Sequence, residues 1–162
     1  MRTEVHSADK IIMSKKDILP TRFPVKQDKY KCSIGKPCGL WYGIGTSWLN
    51  WVKAEMPHWM GKYFYKVYIT DKVLIISNKK SLMEFHEKYS VDNIHIPGLE
   101  WKDINWEQIA IDYSGIEISP YQYECRFKLG WYYTWDVASG CIWKRDGLSQ
   151  IRHINNPIFL DN

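Results

Sequence analysis

The aromatic content of the chain most constrains what it can fold into. Nine Trp, eleven Tyr and five Phe occur among 162 residues, 15% of the chain. A solvated polymer does not carry that much apolar area, so disorder is excluded. A chain of this length forms one domain and buries roughly two thirds of its unfolded surface. We therefore expect residues 1–162 to be a single, compact, aromatic-rich domain.

Strand signals are spread over the whole chain. Residues 39–43 and 63–69 are rich in aromatic and β-branched side chains, and residues 73–76 are a second apolar run. Each segment is typical of a buried or half-buried strand. Prolines and lysines interrupt the first forty residues. This region is predicted to hold one short strand near residues 3–7 and otherwise loop.

Three segments have the spacing of amphipathic helices. Thr46 or Ser47 can cap the first helix, in which Trp48, Trp51 and Val52 are predicted to form the buried stripe. Two further helices are predicted over residues 81–89 and, after a cap at Asn105, over residues 106–113. Because these helices are inserted between strands, the predicted fold class is α+β.

Charge is unevenly distributed along the chain. Residues 1–80 hold 15 Lys and Arg against 6 Asp and Glu, a balance of +9. Residues 81–162 hold 7 against 12, a balance of −5, and the two balances sum to the net charge of +4. A basic half of this kind suits a phosphate-bearing partner, either a nucleotide or a nucleic-acid backbone.

The cysteines give no sign of a metal site. Cys32, Cys38, Cys125 and Cys141 make no CxxC pair, and no His lies at zinc-ligand spacing from them. Residues 1–6 lack the apolar run of a signal peptide, and no apolar run approaches the length of a membrane span. We therefore expect a cytoplasmic protein with four reduced thiols, no bound metal and no membrane partner.

Three short motifs carry possible chemistry. Val5-His6-Ser7 ends the first predicted strand, and a glycine- and aromatic-rich segment spans residues 39–47. Its glycines leave backbone N–H groups open beside an aromatic face that can stack on a flat ring. It is neither GxGxxG nor a Walker loop. The third motif, residues 113–117 followed by residues 136–143, brings carboxylates to two late strands.

The order of these motifs resembles the ADP-ribosyltransferase superfamily, especially its His-Tyr-Glu branch, which includes the poly(ADP-ribose) polymerase catalytic domain. In that branch a His-Gly/Ser strand precedes Gly-x-Tyr-Phe and a Ser-rich helix, and a late strand carries a Glu. The likeness spans residues 3–152. It implies a split mixed β-sheet with inserted helices. It also implies a mono-ADP-ribosyltransferase that cleaves the nicotinamide–ribose bond of NAD and passes ADP-ribose to a protein, a nucleic acid or water.

The resemblance assigns binding roles to individual residues. His6 matches the His that grips the adenosine ribose and the nicotinamide amide, and Ser7 matches the small residue beside it. Trp41 matches the ring-stacking aromatic, with Tyr42 as the other candidate. Ser47 matches the helix-opening serine that binds the nicotinamide amide.

The resemblance leaves the catalytic carboxylate open. The late strand that should begin with Glu has none, so Asp136 at its entrance and Glu117 on the neighbouring strand are both candidates, with His6 as the third catalytic residue. Gln122-Tyr123-Glu124 also matches the Gln-x-Glu motif of toxin-type members. The carboxylate stabilises positive charge that develops on the ribose carbon. Lys36 and Lys10 are candidates for binding the pyrophosphate.

Two other classes of function fit the same sequence. The basic half interleaves lysines with Tyr30, Trp41, Trp48 and Tyr63, a composition that suits a non-catalytic binder of nucleotides or nucleic acid. A small basic protein can also act by blocking a host enzyme. In each case we expect a monomer.

Overall fold

The computed structural model describes residues 2–17, 21–93 and 96–160, which form eleven strands and four α-helices. The strands are β1 Thr3–Val5, β2 Lys10–Ser14, β3 Leu40–Ile44, β4 Tyr63–Ile69, β5 Val73–Ile76, β6 Ser90–Asp92, β7 Lys102–Ile104, β8 Gly115–Ile118, β9 Ser139–Ile142, β10 Leu148–Ile154 and β11 Pro157–Phe159. The helices are α1 Ser47–Glu55, α2 Lys79–Tyr89, α3 Trp106–Asp112 and α4 Gly130–Tyr133, with short 3₁₀ helices at Pro57–Trp59, Tyr123–Cys125 and Arg145–Gly147. The predicted α+β class is confirmed.

Seven of these strands form one mixed sheet in the order β10-β4-β2-β3-β9-β8-β5. All neighbours are antiparallel except β5 and β8, which run parallel. The two edges of the sheet approach each other, since the Ser114 hydroxyl before β8 donates to the Asp146 carboxylate before β10, and Val73 of β5 and Leu148 of β10 belong to one apolar cluster. The sheet therefore curls, with a concave face and an outer face.

Strand β2 corrects the prediction that residues 8–40 are mostly loop. It lies between β3 and β4, and its Ile11 and Ile12 are buried. Its pairing partners are distant in sequence, residues 43–44 on β3 and residues 63–67 on β4. The strand therefore depends on pairing across the sheet and has little local signal.

Helices α2, α3 and α4 cover the outer face. Ile116 and Ile118 of β8 pack there against Leu82, Phe85 and other buried residues of the helices. Four indoles share this cluster, those of Trp106, Trp131, Trp135 and Trp143. The predicted helices over residues 81–89 and 106–113 are found with boundaries shifted by one or two residues.

Helix α1 buries only part of the predicted stripe. Val52 is buried as predicted, but Trp48 and Trp51 are only half-buried, and Leu49 is the other buried residue. Two stripes one residue apart have the same spacing, so periodicity alone does not decide which one faces the core. Thr46 occupies the cap position, but its side chain makes no capping hydrogen bond.

The prediction of four reduced thiols is wrong for one pair of cysteines. Cys32 and Cys38 form a disulfide, whereas Cys125 and Cys141 are buried free thiols. Among the described residues, no helix is both long enough and apolar enough to cross a bilayer.

Candidate functional site: an aromatic cleft

A cleft of about 320 Å³ opens on the outer face of the sheet, beside the N-terminal end of α1. Three indoles line it, those of Trp41 on β3, Trp48 on α1 and Trp135 in the segment before β9. The rings of Trp41 and Trp135 meet edge to face, with centroids 4.9 Å apart and planes at 68°. The cleft therefore has rigid aromatic walls. We call it the aromatic cleft.

Strand register explains why Trp41 faces this cleft. Trp41 pairs with Cys141, and Gly43 pairs with both Ser139 and Ile11, so these residues share the outer face. A Cβ at Gly43 would lie 2.7 Å from Cβ of Trp48. The glycine therefore lets α1 pack directly on β3 and brings Trp48 to the rim.

Polar groups line one side of the aromatic cleft. Ser33, Lys36, Asp136 and Ser139 are among its lining residues. Burial lowers the pKa of Lys36, and the nearby Asp136 carboxylate opposes that shift. Arg126 Nη2 lies 3.7 Å from Asp136 Oδ1. The cleft thus combines flat apolar walls with a lysine and a carboxylate, and that carboxylate has an arginine nearby.

The wall that carries Lys36 is a loop tied down at several points. Besides the Cys32–Cys38 bond, the amide of Gln27 donates to Cys38 O at 2.7 Å and accepts from Cys38 N at 2.9 Å. Trp135 Nε1 donates to Gly35 O at 3.0 Å. The far side of this loop borders a second cleft of about 250 Å³, and Ser33 and Lys36 line both clefts.

Four of the candidate site residues lie at the aromatic cleft: Trp41, Tyr42, Lys36 and Asp136. Trp41, Lys36 and Asp136 surround the space between the walls. Tyr42 is the next residue of β3, and successive side chains of a strand point to opposite faces. Its side chain therefore lies on the concave face of the sheet, where the hydroxyl donates a hydrogen bond to Glu117. The ring-stacking candidate in the cleft is therefore Trp41.

The structure does not bring His6 to Trp41. The His6 side chain is 59% exposed, its backbone N–H donates to Asp9 Oδ2, and Nε2 lies 3.8 Å from Glu4 Oε2. The reason is topological, because β1 pairs with β11 in a separate two-stranded sheet. The strand beside β3 is β2, which contributes Ile11 and Met13 to the cleft. The side chains of His6 and Trp41, both expected at the nicotinamide, are therefore not brought together.

Ser7 and Ser47 make structural contacts in this region. Ser7 is exposed in the same turn as His6, and its backbone packs against Gly45. The Ser47 hydroxyl donates to Ala138 O at 2.9 Å and accepts from Ile44 N at 3.1 Å. These bonds tie α1 to β3 and to the segment before β9, and they use the only donor of the hydroxyl.

Glu117 lies on the concave face, away from the aromatic cleft. Its Oε1 accepts from Tyr42 Oη at 3.1 Å and lies 2.9 Å from Lys10 Nζ. Burial, and then the Glu117 carboxylate, raise the pKa of Tyr42 well above its usual value. Lys10, expected near a pyrophosphate, is therefore paired with a buried carboxylate. Sequence reasoning missed this three-strand network, because residues 10, 42 and 117 share no local motif.

The Gln122-Tyr123-Glu124 motif lies at the surface, largely within the 3₁₀ helix Tyr123–Cys125. Glu124 is exposed and pairs with Lys79 Nζ at 3.0 Å. Across residues 2–17, 21–93 and 96–160, no three His, Cys, Asp or Glu side chains are grouped as metal ligands would be.

No known protein family, curated protein or solved structure matches this chain. Its function has to be inferred from the chemistry of the cleft.

Proposed function

We propose that the protein is an NAD-dependent mono-ADP-ribosyltransferase whose aromatic cleft holds the nicotinamide end of NAD. The observation that carries the proposal is the presence of Trp41, Lys36 and Asp136 in one cleft. A flat pyridinium ring, a pyrophosphate and a developing ribosyl cation need an aromatic wall, a cation and a carboxylate respectively.

The size of the cleft fits one end of the dinucleotide. Its volume of about 320 Å³ is at the small end of the range for ligand sites. The nicotinamide ring packs on Trp41 and the attached ribose lies toward Asp136. Lys36 meets the pyrophosphate at the rim, where it also borders the second cleft.

Asp136 has the electrostatic role in the reaction. The bond from the ribose carbon to the pyridinium nitrogen breaks, and its electron pair goes to that nitrogen, giving neutral nicotinamide. The Asp136 carboxylate stabilises the cation left on the ribose carbon. A hydroxyl or amine of the acceptor, or water, then bonds to this carbon and releases a proton to solvent. Trp41 keeps the leaving ring aligned with the breaking bond.

A non-catalytic nucleotide binder is the second candidate. Two observations support this alternative. His6 lies outside the aromatic cleft, and the Ser47 hydroxyl already donates its proton to Ala138 O. On this alternative the cleft binds NAD or a related nucleotide and nicotinamide is not released.

We also propose that the protein is a cytoplasmic monomer. Thiol reductants of the cytoplasm keep cysteines reduced, so the state of the Cys32–Cys38 bond in cells tests the proposed location. Alkylation of free thiols in intact cells should modify both cysteines if the location is cytoplasmic, in which case the cleft works there with a reduced loop and a lower NAD affinity. It should modify neither if the compartment is oxidising.

Turnover tests the proposed function. The purified protein is incubated with NAD, and released nicotinamide is measured for the wild type, Asp136→Asn and the control Asp71→Asn, an exposed carboxylate between β4 and β5. We expect release by the wild type and by Asp71→Asn, with a loss of about 100-fold or more in Asp136→Asn. Absence of release by the wild type, or full activity of Asp136→Asn, contradicts the proposal.

A further inference from the structure

Three tryptophans form a partly exposed patch beside the aromatic cleft. Trp48 and Trp51 of α1 stack with centroids 5.0 Å apart and planes at 10°. Trp59, in the following 3₁₀ helix, lies 6.3 Å from Trp48 and 6.0 Å from Trp51. We call this patch the tryptophan surface.

The tryptophan surface is not part of the core. The core-facing residues of α1 are Leu49 and Val52, and none of the three indoles belongs to the apolar clusters of the sheet. Trp59 is 45% exposed. Contiguous exposed aromatic side chains of this kind mark an interaction site more often than scattered apolar residues do.

Exposed lysines lie on the segments that adjoin the tryptophan surface. Lys15 Nζ donates to His58 O at 2.6 Å, which places this ammonium group against the 3₁₀ helix that carries Trp59. Lys16 follows it in sequence, and Lys62 is held beside the end of β2 by its N–H bond to Ser14 O. All three lysines are exposed. Glu55 and Asp17 are the exposed acidic residues of the same segments, so the local balance is positive.

We propose that the tryptophan surface binds single-stranded nucleic acid and presents it to the aromatic cleft as the ADP-ribose acceptor. Indole faces stack on unpaired bases of any sequence, and lysines follow the phosphates. Stacking between neighbouring base pairs covers the base faces in a duplex, so single strands are preferred. The Lys15 ammonium keeps donors beyond its bond to His58 O, and these can reach a phosphate.

Trp48 connects the two sites. It belongs to the tryptophan surface and also lines the aromatic cleft, together with Met13 at the end of β2. A strand lying on the surface therefore passes the mouth of the cleft. The acceptor role rests on the proposed function, whereas binding of the strand does not.

Fluorescence anisotropy of a labelled single-stranded DNA oligonucleotide, without NAD, tests the binding. The variants are Trp59→Ala and Lys15→Gln, and their matched controls are Tyr123→Ala, an exposed aromatic on another surface, and Lys80→Gln, an exposed lysine of α2. We expect Trp59→Ala to weaken binding about fivefold or more. We expect Lys15→Gln to make the slope of log affinity against log salt concentration shallower, by about the contribution of one phosphate contact. The controls should bind as the wild type does.

A second arm adds NAD and measures the mass of the oligonucleotide and the released nicotinamide. Release with a mass increase of one ADP-ribose, lost in Trp59→Ala, supports the proposal. If the oligonucleotide binds and no nicotinamide is released, the tryptophan surface is still a nucleic-acid-binding site, but the proposed function is overturned. Nicotinamide release with no oligonucleotide binding overturns the inference. Equal binding by wild type and Trp59→Ala overturns it too, as does binding only to vesicles of phosphatidylcholine and phosphatidylserine.

Discussion

Tyr42 Oη donates a hydrogen bond of 3.1 Å to Glu117 Oε1 across the intervening strand β9. The bond is possible because Gly140, paired with both residues, has no side chain, and a Cβ there would overlap the Tyr42 ring. Lys10 on β2 completes the network at 2.9 Å from the same oxygen. One carboxylate therefore joins β2, β3 and β8, and its partners leave it facing away from the aromatic cleft.

Glu117→Gln should lower stability and spare activity. The variant removes the charge partner of Lys10 and weakens the bond from Tyr42, so the free energy of unfolding should fall by about 1–3 kcal/mol. Urea denaturation measures this change. The control Glu124→Gln, which loses only an exposed pair with Lys79, should unfold as the wild type does. Loss of nicotinamide release by folded Glu117→Gln would transfer the catalytic role from Asp136 to Glu117.

The protein should lose stability steeply in alkali. Burial and Glu117 raise the pKa of Tyr42 well above its usual value, so the folded state keeps a phenol proton that the unfolded state loses near pH 10. The unfolded state then binds fewer protons, and the free energy of unfolding falls as pH rises above about 10. Melting temperatures at increasing pH measure this slope.

The variant Tyr42→Phe isolates the contribution of this residue to the alkaline loss. Its slope should be shallower than that of the wild type, although Tyr121 and Tyr132, whose pKa values burial also raises, retain part of it. Identical slopes for the two proteins would show that Tyr42 does not hold its proton in the folded state.

The Cys32–Cys38 bond should support both the fold and the aromatic cleft. Replacing both cysteines by serine should lower the free energy of unfolding by about 2 kcal/mol, the value for closing a loop this short. NAD binding should also weaken, because Ser33 and Lys36 lie between the two cysteines and line the cleft. Reductant should reproduce these effects in the wild type and change nothing in the double variant. Unchanged NAD affinity in the double variant would remove the loop from the binding site.

Local patterns predicted the helices better than the sheet. The apolar spacing of Leu82, Phe85 and Tyr89 identifies α2, and Asn105 identifies the start of α3 by accepting from Gln108 N. Strand β2 has no comparable signal, because its stability comes from pairing with β3 and β4. The resemblance assigned His6 to the nicotinamide amide, but β2 is the strand beside β3, so Ile11 and Met13 line the cleft there.

The candidate site was predicted in part. Trp41, Lys36 and Asp136, three of the candidate residues, line the same cleft, although Trp41 and Asp136 are 95 positions apart in the sequence. Glu117 lies on the concave face because of the register of β8, which short motifs do not specify. Asp136 reaches the cleft from the segment before β9, whose course no local pattern indicates.

Calorimetric titration of NAD into the protein tests the central claim most directly, that the nicotinamide end of NAD packs on Trp41 in the aromatic cleft. The wild type should bind NAD at one saturable site, Trp59→Ala outside the cleft should bind equally well, and Trp41→Ala should bind about tenfold or more weakly. No NAD binding by the folded wild type, or equal affinity in Trp41→Ala, would contradict the claim.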